Sequence, residues 1–124
     1  NMNGEMGKGA NLRERTFEFA CAVLELHRHF YRHDPALRDT SSQATRAAGS
    51  VGANLEEADA AQSRADFINK CNISLKEARE TRYWLRVLDR TADEERTRIA
   101  PLIHESTELI AILTTIVRKS REHK

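Results

Sequence analysis

Basic side chains recur at two places in the 124-residue sequence, and basic side chains are what proteins use to bind phosphate groups. Five lie three or four residues apart in segment 76–90, within an arc of about 120° on a helix, and three more lie at the C-terminus. The eight candidates are Lys76, Arg79, Arg82, Arg86, Arg90, Arg118, Lys119 and Arg121. This pattern predicts contact with RNA or DNA. An ordinary solvated surface, partly paired with Glu at i and i+4, is the alternative.

Catalytic and metal-binding patterns do not stand out. His104-Glu105 begins like the zinc motif H-E-x-x-H but lacks the second histidine that would grip the metal. Glu25, His29 and His33 lie at i, i+4 and i+8, where they form either a surface metal site or, as we expect, an exposed charged stripe. The sequence also shows no glycine-rich phosphate loop and no nucleophile elbow. We predict that the protein is not an enzyme and uses no cofactor, metal or small-molecule substrate.

Two further groups of residues lie on the second and third predicted helices, and the first of them lies near the turn that joins these helices. Polar residues of both helices meet there if the helices pack antiparallel, and they predict a hydrogen-bonded network that fixes the register of the helices. Its members are Asn54, Glu57, Lys76, Glu77 and Glu80. An apolar second face of the third helix, formed by Ile73, Trp84 and Val87, predicts contact with another subunit. The alternative is that the other three helices surround this helix.

The amino-acid composition indicates the kind of secondary structure in which these residues lie. The chain is 40% hydrophobic and 31% charged, has five Gly and two Pro, and carries a formal net charge of +1. This predicts one soluble all-α domain without a transmembrane helix. Residues 1–10 lack periodicity and predict a disordered tail before a single domain over 11–124. Cys21 and Cys71, with no paired motif, favour buried free thiols over a disulfide and predict a cytoplasmic protein.

Four amphipathic segments predict the helices. The first runs from Asn11 to about His33, and possible caps precede the others at Thr40, Ser63 and Thr91. Pro101 predicts either a kink in the fourth helix or a separate turn before it. Gly49 and Gly52 predict either a close approach of another backbone to the second helix or a break in it. Short connections between the helices predict an antiparallel up-down-up-down four-helix bundle.

Each helix has a predicted buried line, read from the recurrence of apolar and small residues. The lines comprise Leu12, Phe19, Val23, Leu26 and Phe30; Ala44, Ala48, Val51, Leu55 and Ala58; Phe67, Cys71, Ser74, Ala78, Thr81 and Leu85; and Ile99, Leu102, Ile103, Ser106, Leu109, Ile110, Leu113, Ile116 and Val117.

Two runs in the second and third helices resemble a known family. The run from Ser50 to Ala58 reads SVGANLEEA, and the run from Lys76 to Leu85 reads KEARETRYWL. At this separation they resemble the bacterial four-helix bundle protein family, some of whose members are encoded by intervening sequences within large-subunit ribosomal RNA genes. The resemblance implies an up-down bundle that assembles into a ring-like homopentamer.

The resemblance also suggests a role. A related branch, the accessory variability determinants of diversity-generating retroelements, binds reverse transcriptase and nucleic acid on a basic barrel. This chain is nearly neutral overall and departs from that branch. We therefore expect a non-enzymatic homo-oligomer associated with RNA or ribonucleoprotein. The alternative is a structural adaptor that binds a protein partner, such as a reverse transcriptase, without touching nucleic acid.

Overall fold

The fold consists of four α-helices. The structure, a computed structural model, describes residues 2–92 and 96–122, with side chains over 11–92 and 97–122. The helices are α1 (Met2–His33), α2 (Arg38–Asp59), α3 (Arg64–Thr91) and α4 (Arg96–Glu122), and a short 3-10 turn, Pro35–Leu37, joins α1 to α2. The described residues contain no β-strand, and the predicted all-α class is confirmed.

Consecutive helices run antiparallel. Arg13 in α1 reaches Asp59 at the far end of α2, with 3.2 Å between Nη1 and Oδ2. Arg64 at the start of α3 donates to the Ser120 carbonyl near the end of α4 at 3.1 Å. The connection 60–63 turns α3 back along α2, and these two helices share the most extensive contact in the bundle. The up-down-up-down order of the helices therefore agrees with the sequence prediction.

The core lies on the predicted faces of all four helices. In α1, α2 and α3 every residue of the predicted lines is buried except Phe67, which is half-buried against the core. In α4 the buried residues are Ile99, Ser106, Leu109, Leu113 and Val117. The other predicted residues of α4 pack against the core from its edge, and they are Leu102, Ile103, Ile110 and Ile116.

The predicted caps have different outcomes. Ser63 caps α3, since its hydroxyl accepts from the Asp66 amide at 3.1 Å. Thr40 lies inside α2 instead of capping it, because the Pro35–Leu37 turn leads directly into a helix that begins at Arg38. Thr91 is the last residue of α3, and its hydroxyl donates to a carbonyl one turn earlier at 2.8 Å.

One helix boundary differs from the sequence prediction, and the structure rules out one of the two alternatives for Pro101. Helix α1 begins at Met2, whereas the sequence predicted an irregular tail over 1–10 and a start at Asn11. Glycines weaken a helix without breaking its backbone, and no proline interrupts residues 2–10. Helix α4 includes Pro101, so the proline does not separate a first turn from the main helix.

The two glycines of α2 have different surroundings, and the helix continues through both. A Cβ atom at Gly52 would lie 3.3 Å from Thr16 Oγ1 and 3.6 Å from the backbone carbon of Thr16. Gly52 therefore marks the predicted close approach, between α1 and α2. A Cβ atom at Gly49 would meet nothing within 4 Å.

Helix α4 is unusually apolar. Its segment Thr97–Glu122 is long and apolar enough, by length and composition, to cross a membrane. The prediction of no such segment is therefore wrong on that criterion. One such helix is weak evidence of a membrane span, since a core helix passes the same test, and Ile99, Leu109 and Leu113 are buried in the bundle core.

Candidate nucleic-acid interface

The basic residues of α3 form an exposed stripe. Lys76, Arg79, Arg86 and Arg90 are all exposed, and their steps of three, seven and four residues keep them on one face of the helix. Arg82 is half-buried. We call the four exposed residues, together with Tyr83 between them, the α3 stripe. At 1.5 Å per residue, it spans about 21 Å.

Tyr83 is a member of the stripe that sequence reasoning missed. It lies four residues after Arg79 and three before Arg86, and 56% of its surface is exposed. Its ring meets the Trp84 ring edge to face, with centroids 5.0 Å apart. A surface hollow of about 440 Å³ beside it is lined by Tyr83, Arg86, Val87, Asp89, Arg90 and Thr91. The missed signal was its spacing, which continues that of the basic residues.

Arg46 of α2 binds two carboxylates of α3, Glu77 and Glu80. Its guanidinium donates to Glu80, and its Nη1 lies 3.6 Å from Glu77 Oε1. Trp84 Nε1 also donates to Glu80, at 3.0 Å. The indole hydrogen bond first, and then Arg46, lower the pKa of Glu80, while Glu80 raises the pKa of Arg46. Both glutamates therefore face α2 instead of the stripe.

The polar network does not form as predicted. Glu77 and Glu80 are brought together, but the side chain that joins them is Arg46. Asn54 instead donates its amide to the Ser50 carbonyl of its own helix at 2.8 Å. The other two predicted members, Glu57 and Lys76, are exposed. Sequence spacing could not show which side of α2 faces α3, and Arg46 was missed for that reason.

The C-terminal basic residues are remote from the stripe. Arg118, Lys119 and Arg121 are exposed near the end of α4. Because Ser120 contacts Arg64 at the start of α3, they lie at the opposite end of the bundle from Arg90. The helical rise separates Arg64 from Arg90 by about 39 Å. The structure thus divides the eight predicted residues between two surfaces.

A second basic surface lies between α1 and α4. A groove of about 540 Å³ is lined by Ala22, Glu25, Leu26, Arg28, His29, Arg32, His33, Arg98 and Leu102. Glu25 accepts from Arg28 at 3.2 Å, and the rings of His29 and His33 lie 4.7 Å apart. No three His, Cys, Asp or Glu side chains within the described residues are grouped so as to hold a metal ion.

The predicted subunit interface is only partly exposed. Ile73, Trp84 and Val87 are half-buried, and Trp84 packs against the core of its own chain. Larger apolar exposure occurs on α1, where Phe17 is 60% exposed and Leu24 is 44% exposed. With Tyr31, these two residues repeat every seven positions, which is the period of a helix-pairing face. That spacing was the signal that sequence reasoning missed.

Both thiols are free. Cys71 is buried as predicted, and burial raises its pKa to about 11. Cys21 is exposed on α1, contrary to the prediction that it is buried, because it lies beside the core line of that helix.

Comparison with known proteins identifies the family. The family model described as "23S rRNA-intervening sequence protein" matches residues 10–115. The chain belongs to this family. A crystal structure of a protein of unknown function from the S23 ribosomal protein family of Bacteroides thetaiotaomicron VPI-5482 superposes with a TM-score of 0.79. It is 40% identical, and the match covers 86% of this chain and 97% of that one. No curated protein matches the chain.

Membership in the 23S rRNA-intervening sequence protein family confirms the resemblance noted in the sequence. The two runs that carried it, 50–58 and 76–85, lie in the adjacent helices α2 and α3. Ser74, just before the second run, donates to the Val51 carbonyl within the first at 2.7 Å. The α3 stripe begins in the second run and extends beyond it to Arg90.

Proposed function

We propose that this protein is a non-enzymatic, homo-oligomeric RNA-binding accessory protein of the cytoplasm. RNA binds to the α3 stripe through Lys76, Arg79, Arg86 and Arg90. The C-terminal group near Ser120 is a separate, secondary contact. The 23S rRNA-intervening sequence family is named for the genes that encode its members, so the proposal rests on the surface of this chain and not on the family name.

The absence of ion pairs along the stripe carries the proposal. Among the described residues, no carboxylate lies within 4.0 Å of the charged groups of Lys76, Arg79, Arg86 or Arg90. The acidic residues of the middle of α3, Glu77 and Glu80, are bound to Arg46. A line of exposed cations without partners attracts a phosphate backbone and releases its counterions.

Exposed apolar surface supports self-association. Phe17, Leu24 and Tyr31 are large side chains on one face of α1, and isolated chains rarely expose such a row without a partner. The neighbouring helix α2 presents Gly49, beside which there is open space. The predicted residues of α3, Ile73, Trp84 and Val87, offer less exposed area. The homopentamer implied by the resemblance remains part of this proposal.

A salt titration tests RNA binding. Fluorescence anisotropy with a structured RNA hairpin should show binding that weakens as salt rises, with a slope of about −3.6 if the four cations each neutralise one phosphate of a helical RNA. The double variant Arg79→Glu with Arg86→Glu should weaken binding strongly and make the slope shallower. No binding at about 50–100 mM salt would refute the proposal.

A charge-matched control separates the stripe from a general electrostatic effect. Arg118→Glu with Lys119→Glu makes the same change in net charge at the far end of the bundle. It should cost less affinity than the stripe variant. Equal losses from both variants would show that net charge, and not the α3 stripe, governs binding.

Light scattering tests self-association. A mass near one 14.1 kDa chain at micromolar concentration would contradict it. Leu24→Glu should reduce the mass while helicity is retained, because Leu24 is exposed and outside the core. Trp84→Ala should reduce it less and cost more stability, because Trp84 packs on the core and bonds to Glu80.

A further inference from the structure

Tyr83 gives the α3 stripe a second way to bind nucleic acid, in addition to the contacts of its basic residues with phosphates. Its ring is exposed between Arg79 and Arg86, which lie about one helical turn away on either side. Cations bind a phosphate backbone whatever its form, whereas an exposed aromatic ring offers a surface on which an unpaired base stacks. The hollow of about 440 Å³ beside Tyr83, with Arg86 and Arg90 on its wall, leaves space for a base.

We propose that the stripe binds single-stranded nucleic acid, with a base stacked on Tyr83 and the flanking phosphates on Arg79, Arg86 and Arg90. This inference rests on the proposed function and specifies the substrate class of the same site. In a duplex the bases are stacked on each other and turned inward, so they do not reach an aromatic ring on a helix surface. A single strand presents both its bases and its phosphates.

The setting of Tyr83 suits stacking better than that of the other exposed tyrosine. Tyr31 is 55% exposed, but the Arg38 guanidinium lies 4.2 Å above the centre of its ring. Arg38 is fixed there because its Nε donates to the Tyr31 carbonyl at 2.7 Å. One ring face of Tyr31 is thus occupied by its own chain. The contact with Trp84 instead holds Tyr83 from one side and orients it before a ligand arrives.

The chain carries its own reporter of the stacking event. Trp84 is the single tryptophan of the sequence, and its ring centroid lies 5.0 Å from that of Tyr83. A base stacked on Tyr83 changes the surroundings of the indole. Binding of an unlabelled single strand should therefore change tryptophan fluorescence, whereas binding of a duplex to the cations alone should change it much less.

The test compares two probes of equal length and three forms of the protein. The probes are a fluorescein-labelled 12-nucleotide oligouridylate and a 12-base-pair RNA duplex, and the proteins are wild type, Tyr83→Ala and the ring-retaining control Tyr83→Phe. Loss of one base-stacking ring lowers single-strand affinity about 5- to 100-fold. We expect that loss for Tyr83→Ala only, with duplex affinity changed less than about twofold. Tyr83→Phe keeps the ring and should bind as wild type.

The outcomes separate this inference from the proposed function. If Tyr83→Ala and Tyr83→Phe bind the oligouridylate equally, base stacking on Tyr83 is refuted, while the charge-reversal result still decides the proposed function. If Tyr83→Ala weakens duplex and single strand alike, the ring supports the stripe without recognising a base, and the inference is again wrong. If neither probe binds wild type, both proposals fail. Circular dichroism of each variant confirms that the helices are intact.

Discussion

Replacing each glycine of α2 by alanine should give opposite results, although the two positions are three residues apart in one helix. At Gly49 the added methyl group meets no atom within 4 Å, so only the helix preference of alanine acts. At Gly52 the methyl group lies 3.3 Å from Thr16 Oγ1, which is tighter than an ordinary contact. Thr16 is fully buried, and its hydroxyl already donates to the Arg13 carbonyl at 3.0 Å. It therefore has little freedom to move away.

The magnitudes follow from two terms. Alanine stabilises the interior of a helix by about 1 kcal/mol relative to glycine. Forcing an extra methyl group into a tight contact costs roughly 1–3 kcal/mol. Gly49→Ala should therefore gain about 1 kcal/mol, or about 4 °C in melting temperature for a chain of this size. Gly52→Ala should range from neutral to about 2 kcal/mol less stable than wild type.

Urea unfolding followed by circular dichroism measures both values, and repeating it at several protein concentrations reports on assembly. Equal stabilisation by the two substitutions would refute the close approach of α1 to Gly52. A loss of stability at Gly49 that grows with protein concentration would have a different meaning. It would show that a second chain covers the space beside Gly49 in the assembled protein.

Three other predictions concern single side chains. Cys21 should react with a thiol reagent at least about 100-fold faster than Cys71, whose buried thiol has a pKa near 11, and Cys21→Ser should remove the fast phase. The pKa of Glu80 is lower in the folded protein than in the unfolded chain, so ionised Glu80 stabilises the fold at neutral pH. This stabilisation is lost as pH falls through the lowered pKa of Glu80. The urea midpoint of Glu80→Gln should therefore fall less steeply than that of wild type below about pH 4.5. Arg15 binds Glu105 through two hydrogen bonds of 2.6 and 3.0 Å, so Arg15→Met should cost up to about 1 kcal/mol, and less in high salt.

Features that depend on one helix at a time could be predicted from the sequence. The buried lines follow from a 3.6-residue period, and the cap at Ser63 follows from a hydroxyl at a chain reversal. Thr40 carries the same local signal and does not cap its helix, while the residues that Thr91 would cap lie outside the described part of the chain. The position of the turn before α2 and the length of α3 depend on how the helices pack in the bundle. The type of a single residue does not determine this packing.

Features that join two helices were harder to predict. The pairing of Arg46 with Glu77 and Glu80 depends on the rotation of α2 against α3, which the sequence does not contain. The same rotation turns both glutamates away from the basic face, so that neither forms an ion pair with the stripe. The sequence predicted the basic residues of the stripe. It did not predict that Glu77 and Glu80 pair with Arg46, and it did not single out Tyr83.

The unequal packing of the four helices has a consequence for motion. Helices α2 and α3 share the most extensive contact, whereas α1 and α4 touch each other sparsely. Each helix therefore packs mainly on the helices next to it in sequence, and the contact between α1 and α4 is small. Local opening of the bundle is expected at that contact. Amide protons of α1 should exchange with solvent while those of the α2–α3 hairpin stay protected. The hairpin that carries the two family-like runs would then be the last part of the molecule to unfold.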